Sequence, residues 1–330
     1  MARQRLKIHI ILFIAVIYTL NEYRKILKSF YMKLTFLGTG TSHGVPVIGC
    51  TCSVCRSDDE RDKRYRCSAY LEDGDSAFLI DVGPEFRVQA LRAGISKVSA
   101  VFVTHSHADH LNGLDDLRVF SHTRAVDPSF PQKNNETHGS GLRIYADSNC
   151  IRDTKNRFDY IFTPVKEGGG KPKINLVDVA PYGKDNPIRE GQLEIIPVPL
   201  MHGSLRVTGY LFIKKISGVK KSIAYLTDCS CIPQSSIDLI KSCCGTPDHL
   251  VIDALRREPH STHFNFEQAL GCAQVLNPVH TWFIHMTHNM SHVQVERYVS
   301  SRLEDYPVLK ERVRTGGSVG PAYDTLFIEC

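Results

Sequence analysis

Residues Val101-Phe102-Val103-Thr104-His105-Ser106-His107-Ala108-Asp109-His110 place three imidazoles and a carboxylate directly behind an apolar, β-branched run. Packing alone gives such groups nothing, because a buried imidazole or carboxylate needs a partner. The H-x-H-x-D-H spacing suits two adjacent metal ions. On a loop leaving a strand, His105 and His107 can turn to one ion while Asp109 and His110 turn to the other. These are donor types that zinc, manganese and ferrous iron accept. A second cluster, Cys50, Cys52 and Cys55, offers three thiols within six residues. It reads as three ligands of a tetrahedral zinc whose fourth ligand comes from elsewhere.

The elements that must position these donors are visible as short apolar runs. Lys97–Thr104 is the strand that delivers the histidine-rich loop. In the second half, Leu193–Leu200 ends in Met201-His202, and Ser222–Thr227 ends in Asp228. His249–Ile252 ends in Asp253, and Thr281–Ile284 ends in His285-Met286-Thr287-His288. Strands that each finish on a donor place those donors along one sheet edge, where loops can converge. Nearer the start, Met32–Gly38 reads as a first strand. It runs into a tight glycine turn, Gly38–Gly44, which lacks the lysine of a phosphate-binding loop. Ala77–Asp81 is a short strand, followed by a helix from Pro84 to Ala93 that Gly94 stops. The basic run Arg61–Arg66 reads as a solvated face. Ser121–Gly141 is polar and rich in Pro, Asn and Gly, so it reads as an insertion in which His122 and His138 have no role. Lys166–Lys173 and Tyr182–Gly191 read as loops, and the stretch from the histidine-rich loop to residue 190 carries little legible chemistry.

The 330 residues are 42% hydrophobic and 23% charged, which suits a globular chain with a sizeable core. A net charge of +5 is compatible with an anionic substrate and too small to signal nucleic-acid binding without a localised patch. Eleven unevenly placed cysteines suit a reducing compartment better than a disulfide framework, so a cytoplasmic location is expected. Residues Met1–Lys7 are basic and Ile8–Leu20 are apolar, yet the run is short of the roughly 20 residues that a membrane span needs. No small-residue cleavage site follows it. Residues 1–31 are therefore read as an extension, and 32–330 as the domain, with its insertion at about 121–141. Membrane contact or organelle targeting follows only if residues 8–20 are an anchor.

With these residues in place, a family resemblance emerges. The His105–His110 motif, with His202, Asp228 and His285 in this order, resembles the metallo-β-lactamase-fold hydrolases. Gly49-Cys50-Thr51-Cys52-Ser53-Val54-Cys55-Arg56, His285-Met286-Thr287-His288 and Ala322-Tyr323-Asp324 narrow the resemblance. They resemble the branch containing the phosphoribosyl 1,2-cyclic phosphate phosphodiesterase of the carbon–phosphorus lyase pathway. The resemblance runs from Met32 to the C-terminus and omits the insertion. It implies an α+β fold, the αββα sandwich of two mixed sheets packed face to face with helices outside. It also implies two divalent metal ions, zinc or manganese: His105, His107 and His202 on one, Asp109, His110 and His285 on the other, and Asp228 bridging. His288 would complete one structural zinc with Cys50, Cys52 and Cys55. The alternative register pairs His288 with His292, and the spacing of three favours His285 and His288. His263 would be the catalytic acid, with His260 as its competitor and Asn265 capping the helix that follows. Asp109 is counted beside His263 among the catalytic residues. The expected reaction is hydrolysis of a small anionic phosphodiester, a cyclic sugar phosphate, by metal-activated hydroxide. A homodimer is compatible with this reading. Alternatives on the same fold are a transfer-RNA 3′-processing-type nuclease, a thioester or lactone hydrolase and an oxidoreductase. A binding protein without activity is a further alternative.

Overall fold

The computed structural model describes residues 31–121, 141–163 and 171–330. Fourteen strands form two mixed seven-stranded sheets among these residues. The first sheet holds β1 (Met32–Gly38), β2 (Ser68–Asp73), β3 (Ser76–Ile80), β4 (Ala100–Phe102), β5 (Leu142–Ala146) and β6 (Ile174–Asp178). The second holds β7 (Ile188–Glu190), β8 (Leu193–His202), β9 (Leu205–Ile216), β10 (Val219–Leu226), β11 (His249–Asp253), β12 (His280–Ile284) and β13 (Ser318–Pro321). β14 (Phe327–Glu329) then returns to pair with β1 and close the first sheet. Each sheet is antiparallel at one side and parallel where helices cross over: β3 to β6 in the first, β10 to β13 in the second.

Period-two alternation explains why both faces of each sheet are covered. In β10, Ile223 and Tyr225 pack between the sheets with Phe36, Phe102 and Phe212, while Ala224 and Leu226 face helices Gln234–Cys244 and Phe266–Leu276. In β4, Phe102 points between the sheets, and Val101 joins Leu79, Phe86 and Leu111 on the outer face. Helices outside, two sheets inside: this is the αββα sandwich that the sequence predicts. No helix among the described residues is long and apolar enough to cross a membrane. Residues 1–30 and most of the expected insertion, 122–140, lie outside the described residues.

Three local expectations change. β4 is only Ala100–Phe102: the Val103 amide still donates to the Tyr145 carbonyl at 2.9 Å, but the Thr104 amide has left the ladder for the Asp81 carboxylate. Tyr182–Gly191 contains β7, a three-residue edge strand beside β8 in which Ile188 and Glu190 are buried and Arg189 is exposed; Glu190 is held there by Arg143 and Tyr145. The basic run Arg61–Arg66 is no solvated face. Arg64 is buried, donating from Nη1 to Thr39 Oγ1 at 2.8 Å and to the Ala322 carbonyl at 2.7 Å. Its cationic fork satisfies several acceptors at once, which makes burial tolerable.

The two sheets are also joined by a buried ion pair, Lys214 of β9 with Asp73 of β2, whose carboxylate accepts from the Gln192 amide at 3.2 Å. Removing one partner leaves an uncompensated buried charge. Lys214→Ala is expected to lower stability by about 3–5 kcal/mol, read as a fall in the urea midpoint. The double replacement Lys214→Met with Asp73→Leu should recover most of the loss. An unchanged midpoint in the single variant would show that the pair contributes nothing.

Candidate metal centre

All donors proposed from sequence lie at one end of the sandwich, beyond the carboxyl ends of the parallel strands. Three of the site residues that leave strands there have left-handed backbones: Asp81 after β3 (φ 61°), Asp228 after β10 (φ 50°) and His285 after β12 (φ 62°). Such conformations cost on the order of 1–3 kcal/mol for a non-glycine residue and persist where surroundings enforce them. The loop after β4 carries His105 and His107, and the one-turn helix Ala108–Leu111 carries Asp109 and His110. Gly83 makes this packing possible, because a Cβ there would sit 2.2 Å from the Asp109 carbonyl oxygen.

The donors fall into two groups. His105, His107 and His202 converge on one, and Asp109, His110, Asp228 and His285 on the other. Asp228 spans both: Oδ2 lies 3.7 Å from His105 Nε2 and 3.3 Å from His285 Nε2, and Oδ1 lies 3.2 Å from His110 Nε2. Asp109 Oδ2 is 3.2 Å from His110 Nε2 and 3.8 Å from His285 Nε2. Burial disfavours charge on Asp228, but His110 and His285 outweigh it and hold the carboxyl well below its usual range. Burial, reinforced by His110, pushes His105 well below the usual imidazole range and keeps it neutral, the form that binds cations.

These residues fit the divalent ions that such donor sets bind. The Nε2 atoms of His105, His110 and His285 are buried without a hydrogen-bond partner among the described residues, an arrangement that costs energy unless something else satisfies them. Their outward atoms, by contrast, are mostly held. Asp81 accepts from His110 Nδ1 at 2.7 Å and from the Thr104 amide at 2.8 Å. The Thr262 carbonyl accepts from His202 Nδ1 at 2.6 Å, and Thr104 Oγ1 lies 3.0 Å from His105 Nδ1. Such partners fix ring orientation and aim the free nitrogens inward. Asp81 was not singled out from sequence as a site residue. Its signal was there, a strand ending on a carboxylate, but the same pattern serves as an ordinary strand-end turn.

His263 stands over both groups, its ring centroid 4.5 Å from those of His202 and of His285. Asp253 Oδ2 accepts from its Nδ1 at 2.8 Å and from the Cys229 amide at 2.8 Å. Asn265 caps helix Phe266–Leu276 in a capping box with Gln268, fixing the turn on which His263 sits. His260 is exposed, hydrogen-bonds Thr262 and lies with its ring 5.3 Å from that of His263.

The thiol cluster is a separate centre. His288 Nδ1 lies 3.4 Å from Cys50 Sγ, 3.4 Å from Cys52 Sγ and 3.3 Å from Cys55 Sγ. The amides of Val47 and Cys55 donate to Cys55 Sγ and Cys52 Sγ, as they would to thiolates. The Cys55 amide first, and then His288, bring the Cys52 thiol down to about 6. His292 sits elsewhere, its Nδ1 3.2 Å from Arg64 Nη2 and its amide on Asp62.

Known proteins share this fold. A family model described as the beta-lactamase superfamily domain matches residues 77–286. A solved diphosphatase from the PhnP family is 34% identical, with a TM-score of 0.70, over 90% of this chain and 97% of that one. The chain belongs to the PhnP family of the metallo-β-lactamase superfamily. PhnP-family membership places it among metal-dependent hydrolases. An octanoyltransferase from Porphyromonas gingivalis is 38% identical over 261 residues, 78% of this chain and 46% of that protein. Ribonuclease Z from Listeria innocua is 26% identical over 188 residues, 56% of this chain and 50% of that protein. The chain spans about half the length of these two curated relatives.

Two outcomes follow from the geometry. Asp81→Asn is expected to weaken retention of metal by about 10–100-fold, measured by chelator competition, because His110 loses its orienting carboxylate. Full retention would reduce Asp81 to a backbone role. Cys52→Ser is expected to lose one metal per chain by elemental analysis and to lower the Tm. Intact metal content and Tm would rule out a zinc site at the thiols.

Proposed function

We propose that this chain hydrolyses a phosphodiester on a small anionic molecule, with a cyclic sugar phosphate as the substrate that the family resemblance favours. The observation that carries the reading is the Asp253–His263 pair set beside two donor groups with inward-facing, unpartnered nitrogens. His105, His107 and His202 would hold one divalent ion, Asp109, His110 and His285 a second, and Asp228 would touch both. Zinc or manganese suits these donors, and a third ion, zinc, suits Cys50, Cys52, Cys55 and His288. When bound, two such ions offset charge developing around phosphorus and make water a competent nucleophile near neutral pH.

The remaining chemistry belongs to the chain. Asp253 accepts a hydrogen bond from Nδ1–H of His263, which leaves Nε2 as the ring atom that can deliver a proton to a leaving sugar oxygen. The carboxylate also offsets the charge of the imidazolium, and its own bond to the Cys229 amide keeps it aimed. Asp109 sits between His110 and His285 and holds their relative positions. The PhnP-family relative is named as a diphosphatase; a diphosphate is an anhydride and not a diester, but its hydrolysis also needs attack on an anionic phosphorus and so supports the wider phosphoester-type reading. Ribonuclease Z offers a second reading with a nucleic-acid substrate. The basic run counts against it: Arg61 pairs with Asp59 and Glu296, Arg64 is buried, and Arg66 pairs with Glu85. No free stripe of cations remains there to track a phosphate backbone. The octanoyltransferase match covers less than half of that protein, so acyl transfer is not carried over.

The test is turnover of phosphoribosyl 1,2-cyclic phosphate beside bis(4-nitrophenyl) phosphate, with the protein loaded with Mn or Zn. Both are expected to turn over. His263→Ala should keep every metal and lower kcat on the sugar substrate by roughly 10²–10⁴-fold. It should slow the nitrophenyl ester far less, because nitrophenolate leaves without a proton. Equal turnover by wild type and variant would move the acid to His260. No turnover of either compound, with metals verified, would sink the phosphodiesterase reading.

A further inference from the structure

The turn that follows β11 carries a cation that the reaction above leaves unused. Its ends are held together: the Leu255 amide donates to the Phe264 carbonyl at 2.9 Å, and the Phe266 amide to the Arg256 carbonyl at 3.1 Å. The Thr287 amide, two residues after His285, donates to the Leu255 carbonyl at 3.0 Å. These bonds fasten the turn beside the metal centre, where it presents His263. The ring of His260 lies 5.3 Å from that of His263, which is itself 4.5 Å from the rings of His202 and His285.

Arg256 is half-buried on this turn, and its guanidinium makes one long bond, from Nη2 to the Pro259 carbonyl at 3.4 Å. Its Nε is buried without a partner, and no carboxylate pairs with it among the described residues. A buried donor left so costs energy unless something satisfies it. A planar guanidinium with most of its five donors free suits an anion with several oxygens. The bond to Pro259 holds that guanidinium at the residue next to His260. The Thr262 amide donates to His260 Nδ1 at 3.3 Å, which puts the hydrogen of the neutral ring on Nε2. Burial first, then His263 and Arg256, hold His260 below the usual imidazole range, so this neutral donor form prevails near pH 7. Glu258, the one carboxylate between Arg256 and His263, is exposed and bonds to neither Arg256 nor His260. Arg257 is engaged elsewhere, its guanidinium 5.6 Å from the centroid of the Tyr298 ring. The turn thus offers one free guanidinium and one ring N–H. That is enough for a single terminal phosphate and too little to track a run of backbone phosphates.

We infer that Arg256 and His260 form a subsite for a second anionic group, a terminal phosphate monoester carried by the leaving sugar. The placement follows from the acid. His263 delivers its proton to the leaving sugar oxygen, so the sugar lies against His263, and a phosphate further along it meets the groups beyond that ring. Arg256 supplies the charge and paired N–H donors, and His260 a single N–H. Phosphoribosyl 1,2-cyclic phosphate carries such a second phosphate. The assignment rests on the phosphoester reading above and adds the residues that select one cyclic sugar phosphate from another.

The test compares phosphoribosyl 1,2-cyclic phosphate with ribose 1,2-cyclic phosphate, which lacks the second phosphate. Both are run on metal-loaded wild type, Arg256→Gln, Arg256→Lys and His260→Gln, with the Tm as the check on folding. Wild type is expected to favour the phosphorylated compound in kcat/KM by about 10–100-fold. Arg256→Gln should erase most of that preference, chiefly through a higher KM for the phosphorylated compound. Arg256→Lys should restore part of it, and His260→Gln should lower it less. No preference in wild type, or one that Arg256→Gln leaves intact, overturns the subsite. A fall in kcat on both sugars in His260→Gln, with the preference intact, would make His260 the acid and overturn its place here. If wild type turns over neither compound, the reaction reading has failed, and calorimetry with ribose 5-phosphate decides the subsite alone. Binding weakened about 10-fold in Arg256→Gln keeps it, and equal binding, or none, removes it.

Discussion

Four carboxylates, Asp81, Asp109, Asp228 and Asp253, are buried at one end of the sandwich, and their withdrawal from water is the constraint on which the rest depends. Buried carboxylates persist only when paired and hydrogen-bonded. Here they alternate with imidazoles: Asp81 against His110, Asp109 and Asp228 among His105, His110 and His285, Asp253 against His263. The outer two orient rings, and the inner two point to the space where cations belong. The left-handed backbones at Asp81, Asp228 and His285 are the strain that this crowding requires, held in place by the two sheets behind them.

The inner groups were legible in the sequence because nothing else explains them. An apolar run that ends in His105, His107, Asp109 and His110 gains nothing from packing, and the same oddity recurs after β8, β10, β11 and β12. The two-sheet architecture followed from the family resemblance, since strand order and the pairing of β14 with β1 arise from contacts between distant segments. The outer shell was harder to read. Asp81 looks like any carboxylate at a turn, and its role appears only when His110, 29 positions away, is placed against it. Arg64 was misread because charge patterning is local, whereas its acceptors Thr39 and Ala322 come from opposite ends of the chain.

The thiol centre and the Arg64 network make one brace. Thr39 donates to Asp324 at 2.8 Å and accepts from Arg64, while the same guanidinium reaches His292. Cys50, Cys52 and Cys55 meet His288, which lies only a few residues before His292 in the chain. Between them, these bonds fix the Gly38–Cys55 loop to the segment that follows β12 and presents His285. The brace positions a donor without touching the chemistry.

The sequence separation of these partners bears on how the molecule is made. The three thiols emerge from a ribosome more than two hundred residues before His288, and Asp81 and the His105–His110 loop emerge well before His285. Closing loops of that length is entropically costly until the sandwich has formed around them. The thiol set, which needs His288, and the set that needs Asp228 and His285 are therefore incomplete until the last third of the chain has been synthesised and docked. An unfinished or truncated chain would bind ions loosely, through partial sets open to water, and surrender them to any competing chelator. Metal loading would then act as a register of completed folding, separating finished molecules from fragments by how firmly they hold their ions.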